Sequence, residues 1–185
     1  MTQSSPGASF SYLILPAGPA DAEALAQVHV TAWRETYRGL LPDAFLARMS
    51  EIRTARRFRH ELTRPGPHDV VLAALNPYGV FGYVAAGPSR HGVEGEAEIN
   101  TLYLLRAAQG RGVGRRLLTD AVRALAAHGA SSLVISVLAG NIPALGFYER
   151  LGGKADAPMQ RAGPGGMVTE IDYRWADLGR LISLP

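Results

Sequence analysis

The chain reads as an α/β protein of the α+β kind, a mixed and mostly antiparallel sheet of six to seven strands flanked by helices. Three observations predict this. Apolar residues fall into period-two and helical-period runs in the order β-α-α-α-β-β-β-α-β-α-β-β. One connection only, a glycine-rich turn leading from a strand into a helix and on to another strand, has the form of a crossover that makes neighbouring strands parallel. Short turns join the second strand to the third and close the chain as a last hairpin, and such turns make antiparallel pairs.

Residues 1–9 are a short polar stretch, expected to be a flexible leader, and residues 10–185 are expected to form one domain. Phe10 to Leu15 is the first strand, ended by Pro16-Ala-Gly-Pro19. Pro19 suits a first helical turn, Asp21 and Glu23 suit the positive end of the helix dipole, and Leu25, Val28 and Ala32 repeat at helical spacing, so a helix runs to about Tyr37. Gly39 stops it. Pro42-Asp43 opens a short second helix to about Met49, and Ser50 with Glu51 caps a third, ending near Leu62 and rich in arginine. Strands Asp69 to Leu75 and Val80 to Gly87 flank Asn76-Pro-Tyr-Gly79, which has hairpin-turn chemistry. The polar segment Pro88 to Gly95 precedes a long strand, Glu96 to Leu105. Beyond the glycine-rich turn, Val113, Leu117, Leu118, Ala121, Val122 and Leu125 share one face of a helix that ends near Ala127. Ser132 to Leu138 is a β-branched strand, and Pro143 begins a helix that runs to Leu151 and stops at Gly152-Gly153. Ala155 to Met159 and Met167 to Trp175 make the closing hairpin.

With 185 residues and 47% apolar composition the chain can fill a core. It has no apolar run of membrane-spanning length and no signal-peptide pattern at Met1 to Ser9, which predicts a cytoplasmic protein without membrane association. The absence of cysteine excludes disulfides, zinc–thiolate sites and a cysteine nucleophile. No histidine cluster has metal-ligand spacing and there is no GxSxG elbow, so no metal is expected. The net charge of +3 is mild and the arginines are scattered without an aromatic platform, so no nucleic-acid partner is expected.

Chemistry concentrates at Gln109-Gly110-Arg111-Gly112-Val113-Gly114. A strand that delivers a glycine-rich loop into a helix leaves backbone N–H groups free at the positive end of the dipole, an anion cradle. Arg115-Arg116 stand where a P-loop needs Lys-Ser/Thr, and Arg115 stands where a dinucleotide fingerprint beginning at Gly110 needs its third glycine. Both nucleotide motifs fail.

The residual pattern, Gln109-x-x-Gly112-x-Gly114, resembles the pyrophosphate loop of the GNAT family of N-acetyltransferases. So does a second stretch, Asn141-Ile-Pro-Ala144-Leu-Gly-Phe147-Tyr148-Glu149, which is similar to the family's N-x-x-A-x-x-F-Y-E pattern. His29-x-x-x-Trp33-x-x-x-Tyr37-Arg-Gly-Leu-Leu-Pro42 and Tyr173-Arg-Trp175-x-Asp-Leu178 extend the likeness to roughly residues 12 to 182. The resemblance implies the GNAT fold, with its parallel central strands splayed at the coenzyme site, and acetyl-CoA as co-substrate of an N-acetyltransferase. It implies that the backbone of Leu102, Tyr103 and Leu104 holds the pantetheine, and that Gln109, Gly110, Arg111, Gly112, Val113, Gly114 and Arg115 receive the pyrophosphate. Asn141 and Ala144 lie beside the pantetheine arm. The alternative for Asn141 is a plain helix cap.

Tyr148 is the candidate catalytic side chain, a phenol able to bond the coenzyme sulfur and return a proton to it; the alternative is a tyrosine packed on the core beside Phe147. Glu98, expected to share a strand face with Asn100 and Leu102, is the candidate base, with Glu96 and Glu35 as further possibilities and a surface carboxylate as the alternative for each. Some family members carry a base glutamate five residues before the Asn; that position is Ser136, so the role does not carry over. Trp33, Glu35 and Tyr37 are the candidate acceptor-binding residues, Trp33 and Tyr37 being one helical turn apart and also suited to core packing. His29, on that same face, is expected in the core or groove wall. The acceptor is a small-molecule amine or a protein or peptide amine. A homodimer is allowed by the resemblance, with an exposed Trp175 or the basic third helix at its interface. The competing class is a catalytically silent module that binds and senses acetyl-CoA.

Overall fold

The computed structural model describes residues 10–183. The expected leader at residues 1–9 lies outside them. A first strand, β1 (Leu13–Pro16), leads through a single 3-10 turn at Pro19–Asp21 into helix α1 (Ala22–Thr36), followed by α2 (Asp43–Ala47) and α3 (Glu51–Thr63). Strands β2 (Val70–Asn76), β3 (Gly79–Pro88) and β4 (Glu96–Leu104) come next, then α4 (Val113–Ala127), β5 (Ser132–Leu138) and α5 (Ile142–Arg150). The chain closes with β6 (Lys154–Ala155), β7 (Met159–Gly163), β8 (Gly166–Trp175) and α6 (Leu178–Ile182).

The strands form one sheet in the order β1-β2-β3-β4-β5-β8-β6, with β7 also paired to β8. Every pair is antiparallel except β4 with β5, as the single crossover predicts. Helices cover the two faces. The apolar face of α1 and Phe58 of α3 pack on Ala73 and Tyr83, while the apolar face of α4 packs on Ala74, Val84, Ile99, Leu133 and Ile135 from the other side. Leu25, Leu117 and Leu118 are fully buried, and each withdraws from water the apolar area that contributes about 1.5–3 kcal/mol per large side chain.

Four details depart from the expectations. The first strand is shorter than Phe10 to Leu15; Phe10 precedes it and packs edge-on against Phe81, with ring centroids 5.4 Å apart. The penultimate strand does not run from Ala155 to Met159. It is split into β6 and β7, because Pro158 offers no N–H to a ladder, and the sheet therefore holds eight strands. The short helix α6 was not expected; Asp177 caps it by accepting the Gly179 N–H at 2.8 Å, and Leu178 and Leu181 bury its inner face. Trp175 is only 4% exposed, and its indole N–H donates to the Leu151 carbonyl at 2.9 Å. It is therefore core and cannot form an exposed interface. The basic α3 is partly satisfied by its own surroundings: Arg59 pairs with Glu23, and Arg57 with Glu61.

His29 belongs to the core, as expected, with Nδ1 2.6 Å from the Tyr83 hydroxyl. Burial pushes the imidazole from 6.5 down to about 4, so the folded protein holds it neutral. The unfolded chain takes up a proton on this histidine below pH 6.5 and the folded chain does not until about 4, so stability should fall as pH drops through that window. Urea unfolding across pH 4 to 7 should show one fewer proton of dependence in His29→Gln. An equally steep loss in that variant would mean another group titrates.

Candidate functional site

A cleft of about 680 Å³ opens where β4 and β5 part. The two strands are in register over only Glu96–Glu98 and Ser132–Val134. A β-bulge lies just beyond: Ile99 pairs with Ala86 and Thr101 with Ala85, leaving Asn100 as the extra residue. The bulge bends β4 away from β5, and the β5-facing edge of β4 from Asn100 to Leu104 has no strand partner among the described residues. Leu102, Tyr103 and Leu104 line the cleft. An unpaired strand edge offers N–H and C=O groups to any amide-bearing chain laid beside it.

The glycine-rich loop forms the floor. Gly110 and Gly112 have φ of 72° and 78°, conformations that side-chain-bearing residues rarely adopt, which explains glycine at both positions. Gln109 fastens the loop by donating its side-chain N–H to the Leu104 carbonyl at 3.1 Å. The first helical bond of α4 runs from Arg116 N–H to the Gly112 carbonyl, so the N–H groups of Val113, Gly114 and Arg115 precede any intrahelical acceptor. Gly114 permits close approach: a Cβ there would lie 3.2 Å from Leu104 and 3.7 Å from Phe147. Gln109, Gly110, Gly112, Gly114 and Arg115 line the cleft. Val113 contributes no side chain, being buried in the core, and the Arg111 guanidinium lies over the Phe10 ring at 4.7 Å. Arg38, Arg106, Arg115 and Arg150 surround the cleft against a single carboxylate, Glu35, giving a positive field suited to phosphate.

Helix α5 supplies the opposite wall with Asn141, Ala144, Phe147 and Tyr148. Asn141 caps the helix through its Oδ1, which accepts the Ala144 N–H at 3.4 Å, and it still faces the cleft, so cap and cleft roles coincide. Tyr148 packs edge-on against Phe147 and Trp175, at centroid distances of 5.1 and 6.1 Å. Burial pushes its phenol well above the ordinary tyrosine value. The group therefore stays protonated at physiological pH, with an O–H available to donate.

The α1 side is more mixed. Tyr37 and Tyr103 join through their hydroxyls at 2.9 Å, and burial raises both phenols. Glu35 lines the cleft and accepts the Arg106 N–H at 3.3 Å. Trp33 does not line it; its ring packs against His29 and Tyr37, with a buried indole N–H that has no acceptor among the described residues. Glu98 is not where simple alternation puts it. The bulge at Asn100 shifts the alternation, so Leu102 shares the α4-facing side with Ile99, while Glu98 falls on the other side with Thr101 and Tyr103. It is 1% exposed, outside the cleft lining, and held by the Arg90 guanidinium and backbone N–H, both at 3.1 Å. Glu96 is likewise taken up, paired with Arg174. The Tyr103 phenol and the arginines at 38, 106 and 150 were not singled out from sequence. They come from separate segments and share no local motif.

A model of the acetyltransferase (GNAT) family matches residues 26–153. The uncharacterized N-acetyltransferase YuaI of Bacillus subtilis (strain 168) is 30% identical over 165 residues, which span 89% of this chain and 92% of that protein. The PaiA N-acetyltransferase from Thermoplasma acidophilum, solved in complex with coenzyme A, shares the fold with a TM-score of 0.73 at 20% identity, over 90% of this chain and 100% of that one. A ribosomal-protein-alanine N-acetyltransferase from Brucella melitensis gives 0.71 at 23% identity, over 88% and 98%.

Removing the guanidinium in Arg90→Ala would leave the Glu98 carboxylate buried and uncompensated. The expected loss is about 1–3 kcal/mol of unfolding free energy by urea titration. An unchanged midpoint would show that Glu98 is stabilised from elsewhere.

Proposed function

The chain belongs to the acetyltransferase (GNAT) family and is an acyltransferase that moves acetyl from acetyl-CoA to an amine, and from that premise we propose direct attack of a primary amine on the thioester within a ternary complex. The observation that carries this is the cleft itself. It joins the free N–H groups of α4, the unpaired edge of β4 and the protonated phenol of Tyr148 in one cavity. A thioester is already activated, so positioning and proton delivery are what the protein must add.

In this reading the N–H groups of Val113, Gly114 and Arg115, with the charge of Arg115, hold the coenzyme pyrophosphate, as a helix N-terminus suits an anion. The open edge of β4 at Leu102, Tyr103 and Leu104 pairs with the amides of the pantetheine, and Asn141 adds a side-chain contact opposite. The neutral amine forms the new C–N bond to the acetyl carbon and the C–S bond breaks. The departing sulfur takes the proton of Tyr148, and the proton shed by the attacking nitrogen restores the phenol. No covalent enzyme intermediate is needed, which suits a chain without cysteine. Glu98, fully engaged by Arg90 outside the cleft, serves in this mechanism as a structural carboxylate and not as the base. Trp33 backs Tyr37, which does not line the cleft but bonds the cleft-lining Tyr103, and Glu35 on the cleft wall is left as the candidate nearest an acceptor.

An assay of CoA release across a panel of amines, from polyamines to peptide N-termini, tests the transfer itself. Binding of acetyl-CoA with no amine turned over would identify a sensing module instead. Tyr148→Phe should lower kcat by more than about tenfold with little change in coenzyme affinity, since only the proton donor is lost; an unchanged kcat removes Tyr148 from the chemistry. Gly112→Val meets no neighbour within 4 Å but forces a left-handed backbone on a β-branched residue. It should raise the Kd for CoA by more than about tenfold through the displaced loop, as strain of roughly 1–3 kcal/mol is relieved by moving it. Full retention of affinity would place the pyrophosphate elsewhere.

A further inference from the structure

Helix α3 carries a second concentration of positive charge, away from the coenzyme cleft. Its inner side is apolar: Ala55 and Phe58 are buried against α1 and the sheet. On the outer side Arg56, Arg59, His60, Thr63 and Arg64 follow one another at helical spacing, so they share one face, and all five are exposed. Together they line an open groove of about 430 Å³ in which no carboxylate takes part. None of them lines the coenzyme cleft. The groove lies at the end of α3 where Arg59 meets Glu23, in the first turn of α1, whereas Glu35, near the other end of α1, lines the cleft. The two are separated by about 18 Å along the α1 axis at 1.5 Å per residue, so a molecule held in the groove leaves the cleft open.

Like charges three and four residues apart repel along a helix, as Arg53 does with Arg56 and Arg57, and Arg56 with Arg59. Only two carboxylates answer them: Glu23 pairs with Arg59, and Glu61 with Arg57 at 3.7 Å. Arg53 turns back to donate to the Arg48 carbonyl at 2.6 Å. Arg56 and Arg64 meet no carboxylate among the described residues. The helix dipole accounts for positive charge at the C-terminal end, at Arg64, but not for Arg53 and Arg56 in the first half. An anion laid along the face would relieve the repulsion that remains. Three kinds of occupant fit poorly. Ile52 is the one large apolar side chain that α3 exposes, too little to enter a bilayer. Its one phenylalanine, Phe58, is buried, so unpaired bases find no ring to stack on. A second copy of the same face, related by a twofold axis, would set arginine against arginine. An extended polypeptide does fit. Arg56, His60 and Arg64 succeed one another at about 6 Å of helix rise, and alternate side chains of an extended chain, which point the same way, repeat at about 6.6 Å.

We propose that this face of α3 is a docking surface for an acidic segment of another protein, bound in extended form with carboxylates at alternate positions along the groove. The outer two carboxylates, four residues apart in the segment, meet Arg56 and Arg64, and the middle one faces Arg59 and His60. Guanidinium groups suit this, because their planar fork takes a carboxylate with two parallel hydrogen bonds. The surface brings a partner to the enzyme without touching the coenzyme or the reacting atoms, and it does not depend on the transfer mechanism proposed above. Charge of one sign along an exposed face also draws an acidic chain in before contact, so association is fast at low salt and slower at high salt.

The test uses the full chain and a fluorescein-labelled peptide of alternating glutamate and serine, with the glutamine and serine counterpart as control, followed by anisotropy at low salt and pH 7. The wild-type protein should bind the acidic peptide more than about tenfold tighter than the control, and the preference should fade as salt is raised toward about 1 M. Combining Arg56→Gln with Arg64→Gln should weaken acidic-peptide binding by at least about fivefold, as expected for the loss of two exposed ion pairs. Arg56→Lys with Arg64→Lys, which keeps the charge, should retain most of it. In both double variants the Kd for CoA and the urea midpoint should match the wild type, which separates a lost contact from a damaged fold. No preference in the wild type, or one that survives in the glutamine variant, overturns the proposal. Tighter binding of single-stranded RNA, or of vesicles containing phosphatidylglycerol, than of the acidic peptide at about 0.15 M salt overturns it in favour of a nucleic-acid or membrane surface.

Discussion

Two parallel strands that share only three residue pairs leave most of their facing edges unpaired. In a folded protein buried backbone groups must find partners, so such an opening persists only where a ligand or water completes it. The bulge at Asn100 forces the parting: it adds a residue to β4 just where β5 would have continued beside it, and the strand bends away. Everything at the site follows from this. The glycine loop and the α4 N-terminus arrive at the mouth because β4 delivers them there, and α5 forms the far wall because β5 has been carried away from β4.

The packing on either side holds the opening in place. On one face α4 buries an unbroken apolar stripe against β2 to β5, and on the other α1 and α3 pack on Tyr83, whose hydroxyl bonds His29 of α1. Trp175 braces the far wall, packed on Tyr148 and tied to the Leu151 carbonyl. Strand β8 is thus anchored to the helix that carries the proposed proton donor.

Charge is distributed with the same economy. Arginines line the cleft, whereas among the described residues Arg90, Arg161 and Arg174 meet five carboxylates on the sheet face that carries Glu98 and Asp172. Glu98 illustrates how a residue with the right chemistry can be taken up by structure. Its carboxylate is 1% exposed, and Arg90 from the loop before β4 neutralises it there.

The sequence alone determined the element order, the single crossover and the loop at Gln109 to Gly114, because each is written in residues adjacent along the chain: periodic apolar spacing, glycines that tolerate positive φ, and a strand leading into a helix. It also located Asn141 and Tyr148, whose motif is contiguous. Tertiary structure decided the rest. A one-residue bulge reverses which side chains share a face and leaves no compositional trace, so Glu98 could not be oriented from alternation. A proline split the strand expected at Ala155 to Met159, and burial converted Trp175 from a surface residue into core. The hydroxyl pair of Tyr37 with Tyr103 and the ion pair of Arg161 with Glu170 each join residues from separate segments. Their relation is one of spatial proximity and shared charge, and no local pattern encodes it before the sheet has formed.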